Sequence, residues 1–226
     1  MDDKKKRAGE RAAAFVQGGM VVGLGTGSTA YWAILKLGER VREGLSIRGI
    51  PTSERSKELA ERLGIPLTTF AEVEKIDLTI DGADEIDPRF NLIKGGGGAL
   101  FREKMAAVNS DKVVIVADDS KRVAELGKFR VPIEVVPFGW EATARRIREI
   151  GGQTSLRMAE EKPFRTDNGN WILDGDFGAI REPAELHRQL KLTTGVVETG
   201  LFPEAADIVV WATDTDVEVL ARSRTE

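Results

Sequence analysis

Cysteine is absent from this 226-residue chain, and histidine (His187) and tyrosine (Tyr31) each occur once. Without cysteine there are no disulfides, thiolate zinc sites, iron–sulfur clusters or cysteine nucleophiles. A single histidine excludes multi-histidine metal centres and leaves little room for a Ser-His-Asp triad. Acid–base chemistry therefore falls mainly to carboxylates, lysines or the one tyrosine. No apolar run reaches the roughly 18 residues that a membrane helix requires. The opening MDDKKKRAGERAAAFVQGG lacks the apolar stretch and cleavage site of a secretory signal. A cytoplasmic protein with no membrane partner is expected. Lys and Arg number 33 against 37 Asp and Glu, a net charge of -4. No global basic field exists to hold a polyanion, so nucleic acid is not an expected partner.

What is present is an ordinary globular balance, 41% hydrophobic and 31% charged. The length suits one large domain or two modest ones. Ala8–Val16 reads as a helix stopped by Gly18-Gly19, and Met20–Leu24 as a buried strand. Ser28 or Thr29 can cap a helix reaching about Arg42. Strands are expected at residues 46–50, 66–70, 77–80, 91–94 and 112–117, with helices at about 51–63 and 99–109. Strands alternating with helices imply a parallel α/β sheet covered on both faces. After about Lys128 the rhythm changes to strand (130–136), helix (141–150), two strands (153–158 and 164–174, the second broken by the turn residues Asp167-Asn168-Gly169), helix (183–190) and strand (195–201). That order suggests a smaller α+β domain of the split βαβ, ferredoxin-like kind. Residues 206–212 are apolar again and can return to the first sheet. The expected division is a Rossmann-like domain of residues 1–128 and 205–226, and an α+β domain of residues 129–204.

Four segments carry chemistry. GLGTGST (residues 23–29) places glycines after a strand and hydroxyls before a helix, which suits a phosphate group. Gly25, Gly27 and Ala30 also satisfy a dinucleotide pattern, but the next strand ends in Pro51-Thr52-Ser53 with no acid for a ribose. A plain tight turn is the bland reading. TIDGADEID (79–87) puts Asp81 and Asp84 at a strand end, although Asp81-Gly82 is also a turn former and the acids could simply be solvated. A magnesium site there would have carboxylates only. In NLIKGGGGALFREK (91–104), four glycines are entropically costly to order. They make sense where backbone crowds a ligand or donates N–H groups to an oxyanion. Lys94 precedes them, and Glu103 falls in the first turns of the next helix, where its bland role is to complement the helix N-terminus. In VIVADDSKR (114–122), Lys121 can serve as a point charge. Each segment follows the carboxyl end of an expected parallel strand, so the four should share one cleft. Anion-binding loops, carboxylates and two lysines suit proton transfer on a small anionic substrate.

GLGTGSTA, TIDGADEID, LIKGGGGAL with REK, and ADDSK, in this order, closely resemble ribose-5-phosphate isomerase, type A, as does GVVETGLF (195–202). The likeness spans nearly the whole chain, with Phe101 at a variable position and no charged motif residue lost. The resemblance implies interconversion of ribose 5-phosphate and ribulose 5-phosphate without metal or organic cofactor. It implies Glu103 as the base that shuttles a proton between C2 and C1, Asp81 as the assistant in ring opening, and Lys94 as the stabiliser of oxyanion charge. Asp81, Gly82, Ala83, Asp84 and Lys94 would surround the sugar. Thr26, Gly27, Ser28 and Thr29 would form a substrate loop, with Gly95, Gly96 and Gly97 opposite and Lys121 in contact. Lys5 is implied to reach the phosphate, with Lys4 and Lys6 as neighbours that could replace it. The resemblance carries a Rossmann-like domain plus a small α+β domain, and a homo-oligomer, dimer or tetramer. Two other functions compete. A sugar-phosphate sensor of similar fold would need no base at Glu103, and a CoA transferase would form a covalent acyl intermediate.

Overall fold

The computed structural model describes residues 2–222. The expected first domain runs to Glu226, and its last four residues, 223–226, lie outside the described residues. The helices are α1 (Asp2–Ala13), α2 (Ala30–Arg42), α3 (Glu54–Arg62), α4 (Leu100–Val108), α5 (Trp140–Glu149) and α6 (Pro183–Lys191). The strands are β1 (Val21–Leu24), β2 (Arg48–Pro51), β3 (Leu78–Gly82), β4 (Glu85–Ile86), β5 (Leu92–Ile93), β6 (Val113–Asp118), β7 (Val131–Val135), β8 (Gln153–Leu156), β9 (Met158–Ala159), β10 (Lys162–Pro163), β11 (Trp171–Asp176), β12 (Val196–Thr199), β13 (Leu201–Phe202), β14 (Ile208–Ala212) and β15 (Val217–Ala221). Among the described residues, no helix is long and apolar enough to cross a membrane.

The chain separates into two compact units. The first comprises the described residues of Met1–Ala83, Arg102–Arg122 and Ala205–Glu226. Its sheet has the order β15-β14-β6-β3-β1-β2. β14, β6, β3, β1 and β2 run parallel, and β15 pairs antiparallel with β14. β1, β3, β6 and most of β14 are buried, as continuous apolar runs such as VVIV require of strands covered on both faces. Taking only the parallel strands in chain order, the arrangement is 2-1-3-4-5, the doubly wound order whose direction reverses between the first and third. The core around β1 includes Leu24, Leu37, Ile80, Val114 and Val210, with Ala8, Ala12 and Ala13 packed in from α1.

The second unit is Asp84–Phe101 plus Val123–Glu204. Its four-stranded sheet has the order β12-β7-β11-β8, with every pairing antiparallel. In chain order this is 4-1-3-2 with α5 and α6 as the crossovers, the expected split βαβ arrangement. A small antiparallel sheet, β13-β5-β4, belongs to the same unit. These pairings explain why residues 84–101 and 123–128 sit with the second unit rather than on the expected side of a cut at 128. Glu85 accepts the N–H groups of Gly127 (2.8 Å) and Phe129 (2.6 Å), and Ile93 pairs with Leu201.

Several element expectations need correction. Residues 66–70 form only a single bridge, Gly49 to Leu67, because Glu72 turns back to accept from Thr68 Oγ1 and the Thr69 N–H. The strand expected over 164–174 begins only at Trp171, after the expected turn at Asp167-Asn168-Gly169, and a β9–β10 hairpin precedes it. α1 starts at Asp2 rather than Ala8, since Asp2 and Asp3 complement its N-terminus and Arg7 pairs with Asp3 one turn back. Neither Ser28 nor Thr29 caps α2 through its side chain: Thr29 occupies the cap position without such a bond.

Candidate active site

In the first unit, strand register fixes which loops meet. Leu24 of β1 stands opposite Pro51 of β2 and Ile80 of β3. Gly82 of β3 stands opposite Val116 of β6. The segments starting at Gly25, Thr52, Asp81 and Asp118 therefore emerge along one edge. β1 and β3 flank the reversal point, where open α/β sheets bind ligands. The Gly25 N–H donates to the Ile80 carbonyl (2.9 Å), and the Thr26 N–H donates to Asp81 Oδ1 (3.0 Å). Asp81 Oδ1 also accepts the Gly82 N–H at 2.8 Å, so two backbone donors orient a carboxylate that is only 2% exposed. A Cβ on Gly25 would lie 2.4 Å from Asp81 Oδ1, which is why glycine stands there.

The Thr26 hydroxyl is already engaged. It lies 2.8 Å from Thr52 Oγ1 and donates to Ser53 Oγ at 2.8 Å. Ser56 Oγ donates to the Gly25 carbonyl (2.7 Å), while Ser53 caps α3 by accepting the Ser56 N–H (3.1 Å). This hydroxyl cluster was not anticipated. Its signal is Thr-Ser-x-x-Ser at the end of the neighbouring parallel strand. Gly27 adopts φ +117°, and Gly27 and Ser28 are exposed while Thr29 is buried. An open cleft of about 550 Å³ lies beside this loop, lined by Thr26, Gly27, Ser28, Tyr31, Arg55 and Glu58 among others. Arg55 and Tyr31 are lining groups that the motif reading did not single out.

Glu103 lies in the first turns of α4 and is 4% exposed. Lys121 ends a short 3₁₀ turn after β6, opened by Asp118 accepting the Ser120 N–H (3.0 Å). Among the N-terminal lysines, Lys4 sits 2.9 Å from both Asp119 and Asp214, and Lys6 lies over the Trp32 ring. The Lys4 ammonium hydrogen-bonded to Asp119 holds that carboxyl below the usual range, and the same bond holds the ammonium above its own. Lys5 is half-buried and forms no ion pair among the described residues.

The second unit holds the remaining motif residues, so the expectation that all four segments leave one parallel sheet needs amending. β5, which precedes the glycines, pairs antiparallel with β4 and β13. Lys94 is 3% exposed, its N–H donates to the Gly200 carbonyl (2.8 Å), and its ammonium lies 5.6 Å from the centre of the Phe202 ring. The Gly96 N–H donates to Asp84 Oδ2 at 2.8 Å, so the second acid of TIDGADEID anchors the glycine loop. Gly98 adopts φ +84°, and a Cβ there would fall 2.4 Å from the Phe164 ring. A Cβ on Gly96 would fall 2.7 Å from Asp84 Oδ1. Gly96 and Gly97 are exposed, whereas Gly95 and Gly98 are buried.

The family model described as ribose 5-phosphate isomerase A (phosphoriboisomerase A) matches residues 48–216. Ribose-5-phosphate isomerase A of Bacillus mycoides is 55% identical over 203 residues, covering 89% of this chain and 92% of the relative. The structure of ribose 5-phosphate isomerase A from Methanocaldococcus jannaschii superposes with a TM-score of 0.93 at 41% identity, covering 97% of this chain and 99% of the other. A D-ribose-5-phosphate isomerase in complex with phospho-erythronic acid gives a TM-score of 0.94 at 40% identity, with 97% and 98% covered. The chain belongs to the ribose 5-phosphate isomerase A family.

Proposed function

We propose that this protein interconverts D-ribose 5-phosphate and D-ribulose 5-phosphate through an enediolate, the aldose–ketose step of the non-oxidative pentose phosphate pathway. The observation that carries this reading is family membership across nearly the whole chain, at 55% identity to a relative bearing that name. In the reading, the Glu103 carboxylate takes the proton from C2 of the open-chain aldose and returns it to C1. The hydroxyl proton of O2 passes to O1, so no atom is gained or lost. Asp81 assists ring opening, Asp84 and Lys94 hold the sugar, and Lys94 offsets the charge that develops on oxygen. Gly82 and Ala83 line the sugar, and Lys121 contacts it. Thr26, Gly27, Ser28 and Thr29 form one binding loop, and Gly95, Gly96 and Gly97 another. Lys5 takes the phosphate, a role supported by the commitment of Lys4 to Asp119 and Asp214.

The local geometry supports the roles of Asp81 and Asp84. Asp81 is oriented by two backbone donors, and Asp84 fixes the peptide nitrogen of Gly96. The similar isomerase complex holds phospho-erythronic acid, a phosphorylated acid whose carboxylate resembles an enediolate in charge and shape. The reaction needs no cofactor, and the protein works as a cytoplasmic homo-oligomer, dimer or tetramer. The test is an assay with ribose 5-phosphate in excess chelator. Ketose should form at the rate seen without chelator. Formation of no ketose would sink the isomerase reading in favour of a sensor, dependence on CoA would indicate a transferase, and reversible loss on chelation would overturn metal-free proton transfer.

A further inference from the structure

We infer that Arg157 is a positioning residue for the reaction: it grips the carbonyl side of the tetraglycine loop and so aims and polarises that loop's N–H groups. The inference deepens the proposed function and rests on it. Arg157 lies between β8 and β9, with its backbone fixed by an N–H donated to the Ile172 carbonyl (2.8 Å) and a carbonyl accepting from Phe164 (2.8 Å). Its Nη1 donates to the carbonyls of Gly95 (2.9 Å) and Gly96 (3.1 Å). Its Nε donates to Asp174 Oδ2 (2.9 Å) and its Nη2 to Asp174 Oδ1, a bidentate pair that fixes the guanidinium plane. The guanidinium also stands 5.8 Å from the centre of the Phe164 ring, the ring that fills the space beside Gly98.

The consequence follows from peptide geometry. In a trans peptide the C=O and the following N–H point in opposite directions. With the Gly95 carbonyl held by Arg157, the Gly96 N–H must point away from the guanidinium, and it does, onto Asp84 Oδ2 at 2.8 Å. The first peptide of the loop is thus held from both ends. With the Gly96 carbonyl also held, the Gly97 N–H is likewise directed away from the cation. A positive charge on the carbonyl end of a peptide strengthens the donor at its other end, as in any polarised chain of hydrogen bonds. Four successive glycines would otherwise sample many conformations. Arg157 removes part of that freedom, alongside Asp84 and the Gly98 N–H that donates to the Gly95 carbonyl (2.9 Å), in a loop whose proposed task is to meet developing negative charge. Such donors act in the transition state more than in the ground state.

The experiment compares the parent with Arg157→Met, Arg157→Lys and Glu103→Gln. It measures kcat, KM for ribose 5-phosphate, inhibition by phospho-erythronic acid, and Tm. Arg157→Met should lower kcat about tenfold to a hundredfold with KM changed less than about threefold, and should weaken phospho-erythronic acid in step with kcat/KM. Arg157→Lys keeps the charge but cannot grip Asp174 and both carbonyls together, so it should recover part of the loss and remain about threefold or more below the parent. A merely structural role would lower Tm and leave kcat and inhibitor affinity of the folded protein at parental values, which overturns the inference. If Arg157→Met does not fold, Arg157→Lys decides by the same measurements, and a parental kcat overturns the inference. An inactive Glu103→Gln beside a fully active Arg157 variant refutes the positioning role alone. A fully active Glu103→Gln refutes the reading of the site, and this inference with it.

Discussion

Asp81 and Lys94 are both nearly fully buried, yet they are held in different ways. Asp81 sits on β3, where register against β1 and β6 sets its position and the N–H groups of Thr26 and Gly82 set its orientation. Both of these donors lie at strand ends of the first unit. Lys94 leads into a loop of four glycines that no sheet supports. That loop is held by Asp84 twelve residues before Gly96, by Arg157 more than sixty residues on, and by Phe164. A parallel sheet positions its carboxyl-edge residues as a by-product of its own ladder. A glycine loop needs dedicated side chains from distant parts of the chain to do the same.

Four substitutions sharpen or break this contrast. The largest effect is expected from Glu103→Gln, which keeps shape and removes basicity. Turnover should fall by about a hundredfold or more while phospho-erythronic acid still binds, and parental turnover would end the assignment of the base. Next, Lys94→Ala should lower kcat about tenfold to a hundredfold. A raised KM at constant kcat would instead make Lys94 a uniform binder and weaken the case for charge stabilisation. Third is Gly25→Ala, whose new Cβ would meet Asp81 Oδ1 and the Ile80 carbonyl, each at 2.4 Å. Relieving that overlap should destabilise the protein by about 1–3 kcal/mol and displace Asp81, so denaturant midpoint and kcat should fall together. An unchanged midpoint would show that the strand-end packing is looser than described.

The smallest effect is expected from Lys4→Met at the exposed Asp119–Asp214 cluster. Asp119 has a lowered folded pKa, so the pair contributes above the unfolded carboxylate range and loses that contribution as pH falls through the folded value. The difference in Tm between parent and Lys4→Met should be small at neutral pH and shrink toward zero as the pH falls below the ordinary carboxylate range. Thermal unfolding across pH 2–8 measures it. A difference that grows in acid would mean that Lys4 acts through packing rather than charge.

The same contrast explains what could be read in advance. β1, β3 and β6 announce themselves because runs such as VVIV have one use in a parallel sheet, and the turn residues after them mark the functional edge. Glu103 was legible through its motif. Asp84 was legible as an acid, but its bond to Gly96 was not, since nothing local links residue 84 to residue 96. Arg157 carries no signal at all: it stands between short strands of a region that reads only as structural. The hydroxyls of Thr52, Ser53 and Ser56 carry no local signal for the same reason, since each is an ordinary turn or capping residue until β2 is known to lie beside β1. Residues 66–70 misled because two threonines and a phenylalanine suit a strand by propensity, while the capping carboxylate of Glu72 decides otherwise.

β14 has a consequence for how the molecule is made. Residues 208–212 form the parallel neighbour of β6 in five matched rungs, Ile208 to Val114 through Ala212 to Asp118. Until synthesis has passed residue 212, that flank of β6 offers unsatisfied amide and carbonyl groups in an apolar setting, the kind of edge that recruits other chains. A nascent polypeptide halted near residue 205 would carry every proposed catalytic side chain and still be a sticky intermediate rather than a working protein.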